Sequence, residues 1–430
     1  MCLTIPAKVI EINEDKKTAK IDSGGDVKEV NISFVLPLKI GDWILYVNDL
    51  AIKKISDDDA FELLRFLENN KTIDISKLSD KFQEIIKTSN IRELTKEEII
   101  YLLNTEGEEK EALFSEANVV RKTYIKDFIC IHGIIEFSNY CKNNCSYCGL
   151  RRDNDGAVRY RMSVPEIIET ALDAVHQKGY KLLVLQSGED PFYTDDMLVD
   201  IVRGIKAGCK AFVLMSVGER GYDCYKRMKE AGASGALFRF ESSNPELFNK
   251  IHSDGGGANK NLGNRLEHLE FMKELGYYIA TGSIIGLPGQ TVEDLADDIL
   301  MMKKWANMIS MGPFVPGKNT PFANEPHGDP EMNFKMIAVL RLIMKYARIP
   351  VVTALETLAG EDGRKRAFFA GANSLMFNLT PEKYRSEYRI YDNRFFDKNS
   401  IWEKYGLFKY EESYKMIEDN MLKELEKNKI

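Results

Sequence analysis

Three cysteines lie within eight residues of one another near the middle of the chain. Cys141, Cys145 and Cys148 follow a C-x3-C-x2-C spacing in the run from Asn139 to Gly149. A 4Fe–4S cluster is normally held by four thiolates, and no fourth cysteine follows nearby. One iron would therefore stay open for a ligand from outside the chain, as in other catalytic metal sites. The spacing predicts such a cluster.

Two simpler explanations of these thiols are possible. A structural zinc knuckle would need a fourth cysteine or histidine close by. The nearest histidines, His132 and His176, belong to a predicted strand and a predicted helix. Three unrelated buried thiols would rarely show this spacing by chance. The cluster is therefore the favoured interpretation.

Composition limits the classes of protein to which the chain can belong. It has 430 residues, of which 44% are apolar and 29% charged, which is typical of a globular protein with two or three domains. The 66 acidic and 59 basic residues give a charge of −7. This balance predicts no binding to nucleic acid or to an anionic membrane. We find no signal peptide or membrane helix pattern, and the odd count of seven cysteines suits metal ligation in a reducing cytoplasm.

The first part of the chain, residues 1–68, is predicted to be a small all-β barrel that ends in a helix. Turn signals separate its short apolar runs, and closure into a barrel removes exposed edges. Predicted strands lie at Lys8–Ile12, Thr18–Ile21, Val27–Ile32 and Trp43–Val47, with a helix at Asp57–Asn69. Residues 69–120 are predicted to be a helical connector.

Residues 121–430 alternate between buried strands and amphipathic helices. Predicted strands lie at Ile129–Phe137, Lys181–Leu185, Ala211–Met215, Ala236–Phe240, Tyr278–Ile285, Met308–Gly312, Pro350–Leu355 and Ser374–Phe377. Eight β-then-α units predict an α/β fold, a (β/α)8 TIM-type barrel. Spacing alone also allows an open, doubly wound sheet. In either fold the cysteine loop follows the first strand of this region.

The cysteine loop in this context resembles the signature of the radical S-adenosylmethionine (SAM) superfamily. The resemblance implies that the amine and carboxylate of SAM bind the open iron. It also implies that reductive cleavage of SAM gives a 5′-deoxyadenosyl radical. Tyr147 is similar to the aromatic residue that lies near the adenine in that family.

Longer strings resemble HydE, the radical SAM maturase of FeFe-hydrogenase. They are Ile135–Asn139, Gly149–Asn154, Leu185–Pro191, Gly286–Thr291, Gly312–Pro316 and Thr320–Glu325, within roughly residues 90–395. Biotin synthase and methylornithine synthase are relatives by fold. The resemblance implies an organometallic iron or other small-molecule substrate, a ferredoxin or flavodoxin as electron donor, and other hydrogenase maturation proteins as partners.

Several residues are expected to bind SAM. At the end of the second strand, the backbone of Gln186, Ser187, Gly188 and Glu189 is placed to accept hydrogen bonds from the SAM amine. Arg239 and Glu241 alternate with Phe240 on the fourth strand and would point into the lumen. The resemblance implies that they bind the zwitterionic end of SAM and that Arg265 is a further carboxylate partner. The alternative is a buried ion pair that only holds the barrel.

Two glycine-rich segments accompany these residues. Gly286 and Leu287 begin a tight turn after the fifth strand, where the backbone could approach the adenosyl group. The segment Asp254–Gly263 lacks the lysine and the strand–helix context of a P-loop. We interpret it as a flexible lid.

The predicted substrate end departs from the HydE pattern. On the predicted fourth strand, Phe240 replaces a histidine. On the predicted seventh strand, Val352 replaces a threonine and Glu356 replaces a glycine. We expect these changes to alter the cavity and to weaken maturase activity. The expected substrate contacts are Phe240, Thr353, Glu356, Tyr384, Tyr388 and Tyr391, the three tyrosines belonging to a C-terminal lid.

Residues Met1–Val9 and Gly41–Leu45 resemble the HypC/HupF chaperones of NiFe-hydrogenase assembly. Removal of Met1 would expose Cys2 as an N-terminal aminothiol that can bind soft metals. The resemblance implies that Cys2 carries iron. The histidine partner of that family falls at Val47, so the domain could instead serve only for protein docking.

The leading hypothesis is therefore a HydE-like radical SAM enzyme that assembles an iron–CO–cyanide cofactor. One alternative is a radical SAM mutase or lyase that acts on a small amino acid, as methylornithine synthase does. A second alternative is a non-enzymatic iron-carrying scaffold with a structural cluster.

Overall fold

The computed structural model describes residues 5–47, 49–67, 73–125, 129–252 and 260–394. Cys2, the expected iron carrier, and residues 254–259 of the expected lid lie outside the described residues. No helix in the described part is long and apolar enough to cross a membrane.

The N-terminal strands form a closed five-stranded barrel in the order β1-β2-β3-β5-β4. They are β1 (Ile5–Asn13), β2 (Thr18–Ser23), β3 (Asp26–Asn31), β4 (Trp43–Val47) and β5 (Leu50–Ile55), followed by helix α1 (Asp57–Leu67). A core of small and branched apolar side chains fills the barrel, among them Ala7, Val9, Ile21 and Ile44. Sequence analysis did not predict β5, because its two lysines interrupt the apolar pattern.

Among the described residues between the two barrels, three α-helices pack against the second barrel. They are α2 (Asp80–Ser89), α3 (Lys96–Leu103) and α4 (Gly107–Tyr124). Ser79 and Thr95 cap the first two by accepting hydrogen bonds from backbone N–H groups of the first turn. Phe114 of α4 packs edge-on against Phe334 with ring centroids 6.4 Å apart. The connector therefore contributes to the core of the second barrel.

The second barrel contains an eight-stranded parallel sheet in the order β12-β10-β9-β8-β7-β6-β15-β14 among the described residues. The strands of this region are β6 (Cys130–Ser138), β7 (Leu182–Ser187), β8 (Phe212–Ser216), β9 (Gly235–Leu237), β10 (Tyr278–Thr281), β11 (Ile284–Ile285), β12 (Met308–Ile309), β13 (Gly312–Pro313), β14 (Pro350–Val351) and β15 (Ser374–Asn378). Strands β11 and β13 form a separate small sheet.

The two edges of the large sheet meet between β12 and β14. Met308 forms a parallel bridge with Arg348, and the N–H of Ile309 donates to the carbonyl of Arg348 at 2.8 Å. The sheet is therefore nearly closed, which confirms the predicted TIM-like barrel and excludes the open doubly wound sheet.

Helices surround the barrel and alternate with its strands. They are α5 (Val164–His176), α6 (Asp195–Gly208), α7 (Tyr222–Glu230), α8 (Pro245–Ile251), α9 (Leu262–Glu274), α10 (Val292–Trp305), α11 (Pro330–Ile343), α12 (Thr353–Phe369) and α13 (Glu382–Arg385). Helix α12 is kinked at Gly360, whose φ is 62°. The carboxyl ends of the strands, and the loops that follow them, form one face of the barrel, where barrel enzymes place their active sites.

Candidate active site

The cysteine loop begins directly after β6, and arginine side chains from the residues that follow the three cysteines hold it in place. Arg151 Nε donates to Asn144 Oδ1 at 2.7 Å. Arg159 Nη1 donates to the carbonyls of Asn139 at 2.6 Å and Leu150 at 3.0 Å. Cys145 is buried, and Cys141 and Cys148 are half-buried. The loop is therefore ordered by hydrogen bonds that do not involve the thiols.

The environment of the thiols favours their neutral form. Burial raises the pKa of Cys145 to about 12 and also raises that of Cys148. Burial and the charge of Glu189 raise the pKa of Cys141, which hydrogen bonds from the backbone N–H groups of Asn143 and Glu189 partly oppose. Because thiolates are the ligating form, iron binding must displace these protons.

The thiols do not form a site for a single metal ion. Within the described residues, no three His, Cys, Asp or Glu side chains are grouped so that they could hold one ion. A 4Fe–4S cluster places each thiolate on a different iron, so it needs ligands that are further apart. After burial, the neighbouring thiols of Cys145 and Cys141 are the next causes that raise the pKa of Cys148, so the three thiols lie close together, as a shared cluster requires.

Glycine at position 188 allows the segment after β7 to touch the cysteine loop. A Cβ on Gly188 would lie 2.2 Å from the carbonyl oxygen of Tyr140 and 2.9 Å from Cys141 Cβ. The N–H of Lys142 also donates to the carbonyl of Glu189 at 2.9 Å. The predicted SAM-binding segment is therefore attached directly to the cysteine loop.

The carbonyl groups of this segment already accept hydrogen bonds. The carbonyl of Gly188 accepts from the N–H of Asp190 at 2.8 Å and from Ser187 Oγ at 2.7 Å. Gln186 Oε1 accepts from Ser216 Oγ at 3.4 Å. A SAM amine would share these acceptors with the protein.

Glu189 belongs to a buried network of alternating charges. Lys260 Nζ lies 3.0 Å from Glu189 Oε1 and 3.8 Å from Glu219 Oε1, and Arg265 Nη2 lies 3.0 Å from Glu219 Oε1. Burial raises the pKa of Glu189, but Lys260 and Arg265 outweigh it and lower this pKa to about 2. Sequence analysis predicted Glu189 and Arg265 but missed Glu219 and Lys260, which no local pattern marks.

Arg239 and Glu241 lie together, but not on a strand as predicted. Strand β9 ends at Leu237, and Glu241 has a φ of 66°. Arg239 Nη2 lies 3.1 Å from Glu241 Oε2 and donates to the carbonyl of Ser283 at 2.7 Å. Arg239 Nε and Glu241 Oε2 are buried and make no hydrogen bond with the described residues. This charged pair, in which Arg239 Nε has no hydrogen-bond partner among the described residues, fits the zwitterionic end of a ligand such as SAM.

Tyr147 lies beside a small apolar cluster that is separate from the main core. The buried members of this cluster are Ile251, Ile284, Leu287, Phe314 and Phe322. The ring of Tyr147 is also 6.0 Å from that of His252, in an edge-on arrangement. This surface, next to the cysteine loop, suits a flat apolar group such as adenine.

The turn at Gly286 is required by packing. Gly286 has a φ of 81°, and a Cβ there would lie 2.5 Å from the Cα of Gly328. The N–H groups of Gly286 and Leu287 donate to Gln290 Oε1 at 2.6 and 3.2 Å. Gln290 therefore occupies these donors, so Leu287 offers its side chain to the apolar cluster beside Tyr147.

Two expected substrate contacts are placed differently from the prediction. Phe240 is fully buried in the main apolar core, so it lines no accessible cavity. Glu356 lies on helix α12 rather than on a strand, and Arg364 Nη2 lies 2.5 Å from its Oε1. The prediction that Glu356 lies on the seventh strand is wrong, and a buried arginine neutralises its charge. The effect of Phe240 and Glu356 on substrate binding stays a prediction.

The remaining expected substrate contacts differ in their surroundings. Tyr384 stacks on Tyr160 with centroids 4.7 Å apart and donates to Glu166 of α5, which directs its hydroxyl to the helical layer. Tyr388 is buried, and Tyr391 is half-buried. Thr353 is the first residue of α12.

A buried ion pair that sequence analysis missed attaches the C-terminal segment to the barrel. Arg394 donates to both oxygens of Glu136 on β6, at 2.6 and 2.9 Å, and Asn378 Nδ2 donates to Glu136 Oε2 at 2.7 Å. The side chain of Glu136 is fully buried. A lone glutamate in an apolar strand was the available signal, but its partner is 258 residues away.

Comparisons with known proteins give the same assignment. The model described as the radical SAM superfamily matches residues 135–302, the HupF/HypC family model matches residues 1–67, and the biotin and thiamin synthesis associated domain matches residues 295–407. The [FeFe] hydrogenase maturase subunit HydE of Thermotoga maritima is 44% identical over 314 residues, which are 73% of this chain and 88% of that protein. The chain belongs to the HydE family of radical SAM enzymes. Members of this superfamily use a 4Fe–4S cluster and SAM.

Other relatives of the HydE-family chain share the barrel. The 3-methylornithine synthase of Methanosarcina acetivorans is 30% identical over 320 residues, 74% of this chain and 86% of that protein. The structure of methylornithine synthase PylB has a TM-score of 0.67 at 25% identity and covers 79% of this chain and 100% of that one. HydG of Carboxydothermus hydrogenoformans has a TM-score of 0.63 at 23% identity, covering 85% and 83%, and shares the fold.

Proposed function

We propose that this enzyme cleaves SAM reductively and uses the resulting radical in the assembly of an iron–CO–cyanide cofactor of a hydrogenase. The observation that carries the proposal is that one chain matches two families of hydrogenase maturation, HydE over most of its length and HupF/HypC at residues 1–67. The three thiols and the Arg239–Glu241 pair are the groups that this chemistry needs.

Each part of the site has a role in this proposal. Cys141, Cys145 and Cys148 hold the cluster, which, once bound and reduced, supplies the electron that cleaves SAM to methionine and a 5′-deoxyadenosyl radical. Arg239 binds the carboxylate of SAM, and Glu241 binds its amine.

The first domain is proposed to dock the enzyme onto other hydrogenase maturation proteins. Phe34 and Ile40, in the loop between β3 and β4, are 70% and 68% exposed. Large apolar side chains at the surface are common in protein interfaces. The electron donor is proposed to be a ferredoxin or flavodoxin.

The proposal is tested by maturation of an FeFe-hydrogenase in an extract that lacks HydE. We expect the wild-type chain and Cys209→Ala to restore hydrogen production, and Cys145→Ala to restore none. Cys209 is a suitable control because it is half-buried at the end of α6, outside the site. Intact SAM cleavage without any hydrogenase activity would contradict the maturase assignment.

A second candidate is a mutase that acts on a small amino acid. It is supported by the identity to 3-methylornithine synthase, which extends over 86% of that protein. Incubation with SAM, a reductant and a mixture of amino acids would yield a rearranged amino acid that mass spectrometry detects. The maturase assignment predicts no such product.

A further inference from the structure

The cysteine loop and the segment after β7 are held together by one buried carboxylate. The side chain of Asp190 is fully buried. Its Oδ2 accepts from Ser138 Oγ at 2.7 Å, and its Oδ1 accepts from the N–H of Phe192 at 3.1 Å. Ser138 is the last residue of β6, and its carbonyl accepts from the N–H of Gly188 at 3.0 Å. Asp190 therefore sets the position of the Gly188–Glu189 peptide relative to the start of the cysteine loop.

Arg161 supplies the charge that this carboxylate needs. Its Nε lies 2.7 Å from Asp190 Oδ2, and its Nη2 lies 2.9 Å from Oδ1, which is a bidentate pair. Such a pair fixes both the distance and the orientation of the two groups. A buried carboxylate without a partner would be strongly destabilising.

The guanidinium of Arg161 also contacts the residue that precedes the first cysteine of the loop. It lies 3.7 Å from the ring centroid of Tyr140 and 4.7 Å from that of Phe192. Tyr140 directly precedes Cys141, and its carbonyl is the atom that a Cβ on Gly188 would meet. Arg161 thus touches both sides of the contact between the cysteine loop and Gly188.

We propose that Arg161 is a positioning residue that holds the Gly188–Glu189 peptide against Cys141 and thereby sets the reduction potential of the cluster. This inference rests on the cluster assignment alone, and the identity of the substrate does not affect it. Arg161 acts through Asp190 and Tyr140 and does not itself contact the cluster ligands.

The physical basis is a hydrogen bond to a ligating sulfur. The Gly188–Glu189 peptide lies against Cys141, since a Cβ on Gly188 would lie 2.9 Å from Cys141 Cβ, and the N–H of Glu189 partly opposes the rise that burial causes in the pKa of the Cys141 thiol. Donors to cluster sulfurs stabilise the reduced state, which carries one more negative charge, and so they raise the potential. Release of this peptide should make reduction about tenfold less favourable, which corresponds to a shift of about −59 mV for one electron.

The experiment uses three variants of the anaerobically reconstituted protein. They are the single variant Arg161→Lys, the double variant Arg161→Met/Asp190→Asn, and the control Arg152→Met. Potentiometric titration followed by electron paramagnetic resonance gives the potential, and iron content is measured on the same samples. Lysine keeps the charge but loses the bidentate pair and the stacking. Arg152 lies in the same loop with a side chain that is 54% exposed, so its loss tests the effect of charge alone.

We expect Arg161→Lys and the double variant to shift the potential by at least half of the stated amount, with Arg152→Met unchanged. A wild-type potential in Arg161→Lys would overturn the proposal, because it would reduce the role of Arg161 to its charge. If a variant takes up no cluster, the rate at which Cys141 is alkylated in the iron-free chain tests the proposal instead. Labelling several-fold faster than in wild type supports the proposal, and an unchanged rate overturns it.

Discussion

A rise in pH should weaken the folded state through one buried carboxyl, that of Asp298 on α10. Asp298 is fully buried, and its oxygens accept from the N–H and Oγ of Ser243 at 2.7 and 2.6 Å and from Gln290 Nε2 at 3.2 Å. It thereby joins the segment after Glu241 to the turn at Gly286. Burial raises its pKa from 3.8 to about 7, because these neutral donors do not offset the loss of solvent.

The magnitude follows from this pKa. Between pH 4 and 7 the folded chain keeps the proton of Asp298, whereas the unfolded chain has released it. The folded state then binds more protons, so the free energy of unfolding falls as the pH rises. At up to about 1.4 kcal/mol per pH unit, with a smaller slope near pH 7 where half of the folded chains have lost the proton, this carboxyl should cost about 2 kcal/mol between pH 5 and pH 7.

Urea unfolding at pH 5, 6 and 7 measures this effect. Asp298→Asn, which cannot ionise, should lose about 2 kcal/mol less stability over this range than the wild type. Asp297→Asn is the matched control, because Asp297 is adjacent on α10 and 47% exposed, and it should keep the wild-type slope. Equal slopes for wild type and Asp298→Asn would refute the reasoning.

Three further predictions concern buried charges. Arg394→Met should cost about 3–5 kcal/mol, because it leaves Glu136 buried without its cation; thermal unfolding should show this loss, and adding Glu136→Gln should restore most of it. Glu241→Gln should weaken SAM binding about thirtyfold in calorimetry without loss of iron, and an unchanged dissociation constant would assign the residue to the structure of the barrel. Glu356→Gly should lower the melting temperature because the buried Arg364 loses the carboxylate of Glu356; a melting temperature equal to that of the wild type would contradict a stabilising role of this ion pair.

Local patterns in the sequence predicted the cysteine loop and the barrel that carries it. The thiol spacing is contained in eight residues, and the buried strands form continuous apolar runs that periodicity detects. The same method failed at the seventh strand, which was expected to reach Leu355 but ends at Val351. A short apolar run has the same appearance at the start of a buried helix as in a strand, so Glu356 was assigned to the wrong element.

Pairing across the chain could not be predicted. Glu136 is neutralised by Arg394, and Glu189 by Lys260. Each partner lies far away in sequence, and its position depends on how the loops fold over the barrel. A single sequence shows that a buried charge needs a partner, but it does not show which residue supplies it.

We propose that Cys141, Cys145 and Cys148 hold a cluster that cleaves SAM. Anaerobically reconstituted wild-type protein should contain about four irons per chain and, when reduced, convert SAM to 5′-deoxyadenosine and methionine. Cys145→Ala should lose the iron and the cleavage, while Cys209→Ala keeps them. Full cluster content and SAM cleavage in Cys145→Ala would contradict the account.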